Sequence, residues 1–507
     1  MVKKSIYTLV SLSLVTATAY AQKPNIVLFM VDDMGWQDTS VPFDTVMSAW
    51  NKTFHTPSME RLAAKGVKFT NAYATPVSTP SRVSLMTGMN VASHGVTNWV
   101  GDLNSSTDGR HKTLKMPDWA WNGLQPHGTN LQNSVEATTL PELLRENGYT
   151  TIHCGKAHFG TMGSPGEDPL KLGFDINIAG NGAGHPASYL AENNYGNATA
   201  TTKKQRNAVV GLDKYWGNPD MFLSEALTME ALSALDSVRK AATAKPFYLY
   251  MAHYAVHTGY NIDKRYYQKY RDAGLDHIEA MYAGLLEGMD KSLGDIMDYL
   301  DKNNLTKNTI IIFMSDNGGL SAHTRTGTKD RHNWPARSGK GSALEGGIRE
   351  PLIVYDPFVE RRDAVVDTPV QITDFFPTLL DMALVKKYHT MQKLDGVSFL
   401  PLLKGKSINS KPFVWHYPNV WGANGEGIGV FSAIREGNYK LIYFYDTEQS
   451  ELYDLSKDLS EMNNLAAKPQ YEKIRKTLAE DLSRYLKEKK AKLPFEKSTG
   501  KLCNYPH

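Results

Sequence analysis

The amino-acid sequence predicts an α/β fold in which helices cover both faces of an open sheet. Two runs, at residues 25–31 and 309–314, are apolar almost throughout, which is typical of strands buried on both faces of a parallel sheet. Segments of helical periodicity alternate with runs of this kind, and that alternation favours helices on both sides of one sheet. Beyond residue 410 the pattern changes to short alternating strands and one charged helix, which predicts a smaller C-terminal unit.

The predicted elements follow one another in a regular order. In the larger part, strands are expected at 25–31, 67–73, 149–154, 247–252, 309–314 and 352–355. Helices are expected between them at 58–65, 80–87, 139–147, 222–244, 278–303 and 373–383. In the C-terminal part, strands at 430–435 and 439–444 precede a helix at 471–490. We therefore divide the chain into an N-terminal segment, a large α/β domain and a C-terminal α+β subdomain, at residues 1–21, 22–410 and 411–507.

The composition is that of an ordinary globular protein. Hydrophobic residues make up 41% of the 507 residues and charged residues 21%, with a formal net charge of +3. No block of lysine and arginine stands out, so the sequence gives no indication of a nucleic-acid partner.

The N-terminal segment has the pattern of a secretory signal peptide. Lys3 and Lys4 precede a short apolar run at 6–15, and small residues at Ala19 and Ala21 offer a cleavage point before Gln22. The run is too short to span a bilayer stably, which disfavours the alternative of a retained anchor. We therefore expect an exported protein, periplasmic or secreted, with no membrane anchor.

The chain contains two cysteines, Cys154 and Cys503, too few for a disulfide framework. Cys154 lies in a predicted strand, where a small core residue is expected. A bridge between the two cysteines is left open by the sequence.

Polar side chains follow two of the predicted buried strands. Asp32 and Asp33 come directly after the first strand, and Asp316 and Asn317 come after the strand at 309–314. Either pair alone could be a solvated turn or a helix cap. In open α/β sheets, however, ligands bind beyond the carboxyl ends of the strands, and carboxylate and amide oxygens are the ligands that Ca²⁺ and Mg²⁺ prefer. The two pairs together therefore predict a cation site.

The segment from Ser78 to Arg82 forms a turn rich in serine and threonine before a predicted helix. Taken by itself it is a well-capped helix start with proline in the first turn. A helix N-terminus is also a natural site for an anion, and Arg82 adds a positive charge.

These residues belong to an ordered set of motifs that resembles the formylglycine-dependent (type I) sulfatases of the alkaline phosphatase superfamily. The resemblance extends over residues 23–465 and consists of Ser78-Thr79-Pro80-Ser81-Arg82 with Leu85 and Thr87-Gly88, Gly148-Tyr149, Gly155-Lys156 with His158, His257, Tyr282 with Met289-Asp290, Ser315-Asp316-Asn317-Gly318, Gly339-Lys340-Gly341, Glu345-Gly346-Gly347-Ile348-Arg349, Asp374 with Pro377-Thr378-Leu379, and Asp395-Gly396 with Leu400. Val256 stands where the family usually has proline, and Met89 where it usually has arginine. Neither position supplies a group that takes part in the chemistry.

The resemblance implies a large mixed, mostly parallel sheet sandwiched by helices. It also implies a catalytic mechanism. Ser78 is at the position that is oxidised to formylglycine (3-oxoalanine), whose hydrate attacks sulfur. The implied ligands of Ca²⁺, with Mg²⁺ as a second option, are Asp32, Asp33, Ser78, Asp316 and Asn317. The implied catalytic residues are Ser78, Arg82, Lys156, His158, His257 and Lys340. Arg82 would hold the hydrate, and the two lysines would bind sulfate oxygens. His257 would be the general acid, and His158 would take the proton of the hydrate.

Serine at position 78 further implies a maturation partner. Enzymes with serine there resemble bacterial sulfatases that are oxidised by a radical S-adenosylmethionine maturase before export. The substrate expected for such an enzyme is a sulfated saccharide, attacked in exo fashion, with a preference for galactose or N-acetylgalactosamine units of host glycans or algal polysaccharide. Aromatic and polar residues of the long loops are expected to contact the sugar, above all His185, His416 and Trp421 and, more generally, Trp99, Trp119, Trp121, His127 and Asn419.

Two other functions remain open at the level of sequence. One is a phosphatase or phosphodiesterase of the same superfamily, which would use two zinc ions and a serine or threonine nucleophile. The other is a non-catalytic protein that binds sulfated glycans and in which Ser78 is never oxidised.

Overall fold

The computed structural model describes residues 23–243, 245–321 and 332–507. The predicted signal peptide, residues 1–21, lies outside the described residues. Within the described ranges, no helix combines the length and the hydrophobicity that a membrane span requires.

The described residues form strands and helices that we number in chain order. The strands are β1 (Asn25–Val31), β2 (Val67–Tyr73), β3 (Leu114–Lys115), β4 (Leu124–Gln125), β5 (Val135–Glu136), β6 (Thr150–Gly155), β7 (Ile176–Ile178), β8 (Phe247–Ala252), β9 (Thr309–Ser315), β10 (Arg349–Tyr355), β11 (Ala364–Val366), β12 (Val370–Gln371), β13 (Phe413–Tyr417), β14 (Phe431–Glu436), β15 (Tyr439–Phe444), β16 (Gln449–Asp454) and β17 (Phe495–Glu496). The α-helices are α1 (Ala49–Thr53), α2 (Pro57–Lys65), α3 (Ser78–Thr87), α4 (Val91–His94), α5 (Leu140–Glu146), α6 (Leu223–Lys240), α7 (Tyr267–Asp272), α8 (His277–Lys302), α9 (Glu345–Ile348), α10 (Phe375–Met382), α11 (Leu400–Leu403) and α12 (Glu472–Glu488).

The central sheet has nine strands in the order β11-β2-β10-β9-β1-β8-β6-β7, with β12 also paired to β2. Its strand pairs are parallel except for the two made by β10, which runs antiparallel to both β9 and β2. The sheet is therefore mixed and mostly parallel, and the predicted fold class is confirmed.

Helices cover both faces of this sheet. Alternate residues of β1 point into different cores, because side chains along a strand face opposite sides. Phe29 packs in the core that includes residues of α6 and α8, and Leu28 packs in the core that includes residues of α3, α5 and α10. All seven residues of β1 are buried, which explains the continuous apolar run in the sequence.

The C-terminal unit is a separate antiparallel sheet with the order β13-β14-β15-β16. Helix α12 packs on one face of it through Leu478, Leu482 and Leu486, which join Ile434 in one apolar core. The opposite face, with Trp415 and Phe431, packs against the larger part of the chain. The predicted sheet and helix of this unit are thus present.

The two cysteines are both free and buried. Cys154 lies in the core with no exposed surface, and burial raises the pKa of its thiol. The alternative of a bridge between Cys154 and Cys503 is therefore not realised in the structure.

Candidate active site

The acidic residues predicted from the strand ends meet at one edge of the central sheet. Strands β1 and β9 are parallel and in register, with Val31 opposite Ser315, so the residues that follow them are neighbours. Oxygen atoms of Asp32, Asp33 and Asp316 lie within 4.8 Å of one another. All three side chains are buried.

Ser78 lies against this cluster at the first turn of α3. Its Oγ is 3.1 Å from Oδ1 of Asp32 and 3.0 Å from Oδ1 of Asn317. The helix begins at Ser78, two positions before the predicted start at Pro80. Proline is tolerated there because an N–H in the first turn has no partner within the helix. Ser78 therefore meets the acidic cluster where the helix dipole is positive.

Arg82 is one turn further along α3 and is completely buried. Its Nε donates to Oδ2 of Asp316 at 2.9 Å, and its Nη1 donates to the carbonyl oxygen of Lys156 at 2.9 Å. These contacts fix the guanidinium between two of the strand ends that build the site. One turn separates it from Ser78, so both side chains lie on the same face of the helix.

Two lysines are paired with the acidic cluster. The Nζ of Lys156 is 2.7 Å from Oδ2 of Asp32, and the Nζ of Lys340 is 2.6 Å from Oδ1 of Asp33. Lys156 directly follows β6, whose last residue is Gly155. A Cβ at Gly155 would lie 1.9 Å from the carbonyl oxygen of Ala252, so only glycine lets β6 approach β8 closely enough here.

The two predicted catalytic histidines line the same pocket. His257 has its Nε2 3.6 Å from Oδ2 of Asp33, and its Nδ1 is 3.2 Å from the carbonyl oxygen of Thr258. His158 has its Nε2 2.9 Å from the carbonyl oxygen of Val100. Since a carbonyl oxygen only accepts hydrogen bonds, Nε2 of His158 carries the proton and Nδ1 is left as the acceptor.

The charges of the site perturb its pKa values strongly. Burial and the neighbouring Asp316 raise the pKa of Asp32 to about 7. Burial alone would raise the pKa of Asp33 as well, but Lys340 and His257 lower it below its usual value. Burial and Lys340 hold the pKa of His257 well below the ordinary value of a histidine, and Asp33 opposes them. The carboxylates of the cluster therefore repel one another, and a bound cation would reduce that repulsion.

The donor set fits a divalent cation. Three carboxylates, the amide oxygen of Asn317 and the hydroxyl of Ser78 converge from three chain segments. The Oδ2 atom of Asp33 is buried and has no hydrogen-bond partner among the described residues. A hard cation bound to these oxygens would satisfy that atom and would keep Asp32 ionised.

The site opens into a pocket of about 380 Å³. His185 and Trp421, predicted to contact a sugar, both line it, as does Trp99. The His185 ring stacks on the His257 ring, with centroids 5.2 Å apart and planes inclined by 4°.

His416 was also expected to contact the substrate, but the structure places it away from this pocket. His416 is buried on β13 and does not line the pocket. Its Nδ1 is 2.7 Å from Oγ of Ser432, and its Nε2 is 3.0 Å from the carbonyl oxygen of Lys492. Both ring nitrogens are therefore engaged within the C-terminal part of the chain.

Four further aromatic and polar residues lie outside the pocket lining as well: Trp119, Trp121, His127 and Asn419. The two tryptophans pack edge to face. The Nδ2 of Asn419 donates to Oδ1 of Asp108 at 2.9 Å.

Arg206 and Asn207 are among the residues of the pocket wall that sequence reasoning did not predict. Asn207 donates from Nδ2 to Nε2 of His185 at 2.6 Å. Neither residue belongs to a motif. The one available signal was the length of the loop-rich stretch that contains them.

Comparisons with known proteins identify the family of this chain. The family model "Sulfatase" matches residues 24–385, and the model "N-sulphoglucosamine sulphohydrolase, C-terminal" matches residues 339–488. A sulfatase from Formosa agariphila is 30% identical over 88% of this chain and 85% of its own length. N-acetylgalactosamine-6-sulfatase from Mus musculus is 28% identical over 87% of this chain and 83% of its own.

Solved structures show the same architecture. The crystal structure of Ps i-CgsB in complex with k-i-k-neocarrahexaose superposes with a TM-score of 0.71 and 25% identity, covering 92% of this chain and 93% of that one. The match spans both the central sheet and the C-terminal unit. The chain therefore belongs to the sulfatase family and is a sulfuric ester hydrolase.

Proposed function

We propose that this enzyme hydrolyses a sulfate ester on a carbohydrate and that an aldehyde formed from Ser78 supplies the nucleophile. One observation carries the proposal. The Oγ of Ser78 faces a cluster of buried carboxylates, and Lys156 and Lys340 line the same pocket. A nucleophile, a cation site and two fixed positive charges are thus available around one reacting group.

The chemistry divides into two steps. Oxidation of Ser78 to formylglycine and addition of water give a carbon with two hydroxyls. One hydroxyl loses its proton to solvent and attacks sulfur, the sulfur–oxygen bond to the sugar breaks, and His257 gives a proton to the leaving oxygen. The other hydroxyl then passes its proton to His158, the aldehyde re-forms, and sulfate leaves. Serine itself has no such second hydroxyl, so a sulfated serine would be a dead end.

The remaining residues stabilise charge and hold geometry. Lys156 and Lys340 bind sulfate oxygens as negative charge builds on them. Arg82, locked by Asp316, holds the hydrate. A divalent cation, Ca²⁺ with Mg²⁺ as the second option, would be held by the four polar residues at the strand ends, and it would lower the pKa of the attacking hydroxyl.

A sugar substrate is supported by the pocket wall and by the relatives. The rings of Trp99 and Trp421 and the polar groups of His185 and Asn207 are the kinds of group that bind sugars. Relatives are named for N-acetylgalactosamine 6-sulfate, and one structural neighbour was solved with a neocarrahexaose. We therefore propose a sulfated galactose or N-acetylgalactosamine unit at the end of a glycan, in keeping with a pocket closed at its base by the buried cluster.

Maturation and location complete the proposal. A radical S-adenosylmethionine maturase would oxidise Ser78 before export, and the signal-like segment at 1–21 would direct the enzyme to the periplasm or beyond.

Mass spectrometry of the peptide that contains Ser78 tests the proposal, together with assays on sulfate and phosphate esters of the same sugars. Protein matured in a bacterial host should lose a pair of hydrogen atoms at Ser78 and should cleave sulfate esters only. Ser78→Ala should abolish turnover, whereas Ser84→Ala in the same helix, where the hydroxyl contacts His94, should retain it. Turnover by Ser78→Ala would overturn the proposal.

A further inference from the structure

One charged side chain of the pocket wall lies apart from the buried cluster. The charged residues that line the pocket are Asp33, Lys156, Lys340 and Arg206. The first three are paired within the cluster, and the proposed function assigns Asp33 to the cation and the two lysines to the sulfate that is cleaved. Arg206 is different, because about half of its side chain, 51%, is exposed.

The backbone around Arg206 is fixed by hydrogen bonds. The N–H of Gln205 donates to the carbonyl oxygen of Gly196 at 2.9 Å, and the carbonyl oxygen of Asn207 accepts from the N–H of Ala187 at 2.8 Å. Asn207 in turn holds His185, which stacks on the predicted general acid. The position of Arg206 relative to the reacting end of the pocket is thus built into the loop.

The guanidinium lies over Gly101 at the pocket wall. A Cβ at position 101 would be 2.9 Å from Nη2 of Arg206 and 3.6 Å from the ring of Trp99. Trp99 and Gly101 both line the pocket. The absence of a side chain at position 101 therefore allows a positive charge to lie beside an aromatic ring where a sugar would stack.

The positive charge of Arg206 forms only a weak ion pair. Within the described part of the chain its one ion pair is with Asp102, at 3.2 Å, and the Asp102 side chain is 60% exposed. Exposed pairs of this kind contribute little, because water and salt screen them. A guanidinium has five N–H donors in a planar fork, so most of them remain available for a second oxyanion.

We propose that Arg206 forms a second anion subsite, which binds a sulfate or carboxylate group of the substrate other than the ester that is hydrolysed. This inference rests on the proposed function and narrows it to saccharides that carry a second negative charge. The planar fork matches the paired oxygens of either group. Lys156 and Lys340 would bind the sulfate that is cleaved, and Arg206 would select the neighbouring substituent.

The test is equilibrium binding by calorimetry to the protein with unmodified Ser78, which binds without turnover. The probes are three disaccharides of the same backbone: one with a single sulfate, one with two sulfates, and one with a single sulfate and a uronate carboxylate. Arg206→Gln should weaken binding of the doubly charged probes about fivefold to tenfold, as expected for one partly exposed charge-assisted contact. It should leave the singly sulfated probe unchanged. The doubly charged probe that loses more affinity identifies the group that Arg206 binds.

Two further variants separate a subsite from a structural role. Arg239→Gln removes another partly exposed arginine, which pairs with Asp236 at 2.7 Å and does not line the pocket, and should change none of the affinities. Asp102→Asn frees the guanidinium and should strengthen binding of the doubly charged probes. Equal losses for all three probes in Arg206→Gln, or no loss for any, would overturn the inference. Turnover of the singly sulfated probe by matured enzyme is scored separately and tests the proposed function alone.

Discussion

Replacing Lys440 by methionine should destabilise the protein strongly. Lys440 on β15 is fully buried, and its Nζ lies 2.8 Å from Oε1 of Glu345 and 2.6 Å from Oε1 of Glu461, both also fully buried. Removing one partner of a buried ion pair leaves an uncompensated charge, which costs about 3–5 kcal/mol. We expect the free energy of unfolding of Lys440→Met to fall by about this amount.

The same change should also slow catalysis. The Nζ of Lys440 donates to the carbonyl oxygen of Ala343 at 3.1 Å, three residues after Lys340. Loss of this contact frees the segment that places Lys340 in the pocket. We therefore expect a lower kcat for sulfate release in buffer where the variant is still folded.

The loss of stability in Lys440→Met should also depend on pH. Burial and Glu345 raise the pKa of Glu461 to about 7 against the opposing charge of Lys440. A raised carboxyl pKa contributes stability that is present at low pH and is lost as the pH rises through about 7. The deficit of Lys440→Met should therefore be larger at pH 8 than at pH 5.

Urea unfolding followed by tryptophan fluorescence at the two pH values measures the effect. Lys457→Met is the matched control, because Lys457 is 75% exposed and pairs with Asp454 near the end of β16, and it should unfold like the wild type. A Lys440→Met midpoint indistinguishable from the wild type at pH 8 would refute the reasoning.

Three other predictions follow from the site and its supports. Lys340→Ala in matured enzyme should lower kcat by about two to three orders of magnitude, since a preorganised charge at the reacting group is lost, and a change confined to KM would contradict that role. Chelation with EDTA should abolish sulfate release and lower the melting temperature, with recovery on adding Ca²⁺ or Mg²⁺, and full activity in EDTA would argue against the cation. Burial raises the pKa of Asp290 to about 6. The free energy of unfolding of the wild type should therefore fall by roughly 3 kcal/mol at most as the pH rises from 4 through 6. Asp290→Asn should remove this pH dependence when urea unfolding is measured at pH 4.5 and at pH 7. The same pH dependence in both proteins would count against this role of Asp290.

Much of the site could be predicted because strand ends and motifs are local in the sequence. Asp32 and Asp316 follow runs that are apolar on both faces, and parallel pairing of β1 with β9 then brings them together. Strand β13 was not predicted although all five of its residues are buried, because this run is short and contains the polar His416. Strand β16, with three of its six residues buried, is too polar to be recognised.

The direction of side chains along a strand is the part of the site that the sequence does not predict. Trp415 and His416 are neighbours on β13, and consecutive side chains of a strand point to opposite faces. The Nε1 of Trp415 donates to the carbonyl oxygen of Ala74 near the site at 2.7 Å, whereas His416 faces Lys492. A pattern of polar and aromatic residues in the sequence does not predict which face of a strand is turned toward the pocket. Arg206 was missed for a related reason, since its place depends on the loop path around Gly196 and not on any spacing.

The central claim is that an oxidised Ser78 performs the hydrolysis. The most direct test prepares protein with different fractions of formylglycine at Ser78, by varying co-expression of the maturase, and measures both that fraction by mass spectrometry and the rate of sulfate release. We predict that the rate rises in proportion to the fraction and extrapolates to zero for unmodified serine. A rate that is independent of the fraction, or no release by fully oxidised protein on any sulfated saccharide, would contradict the account.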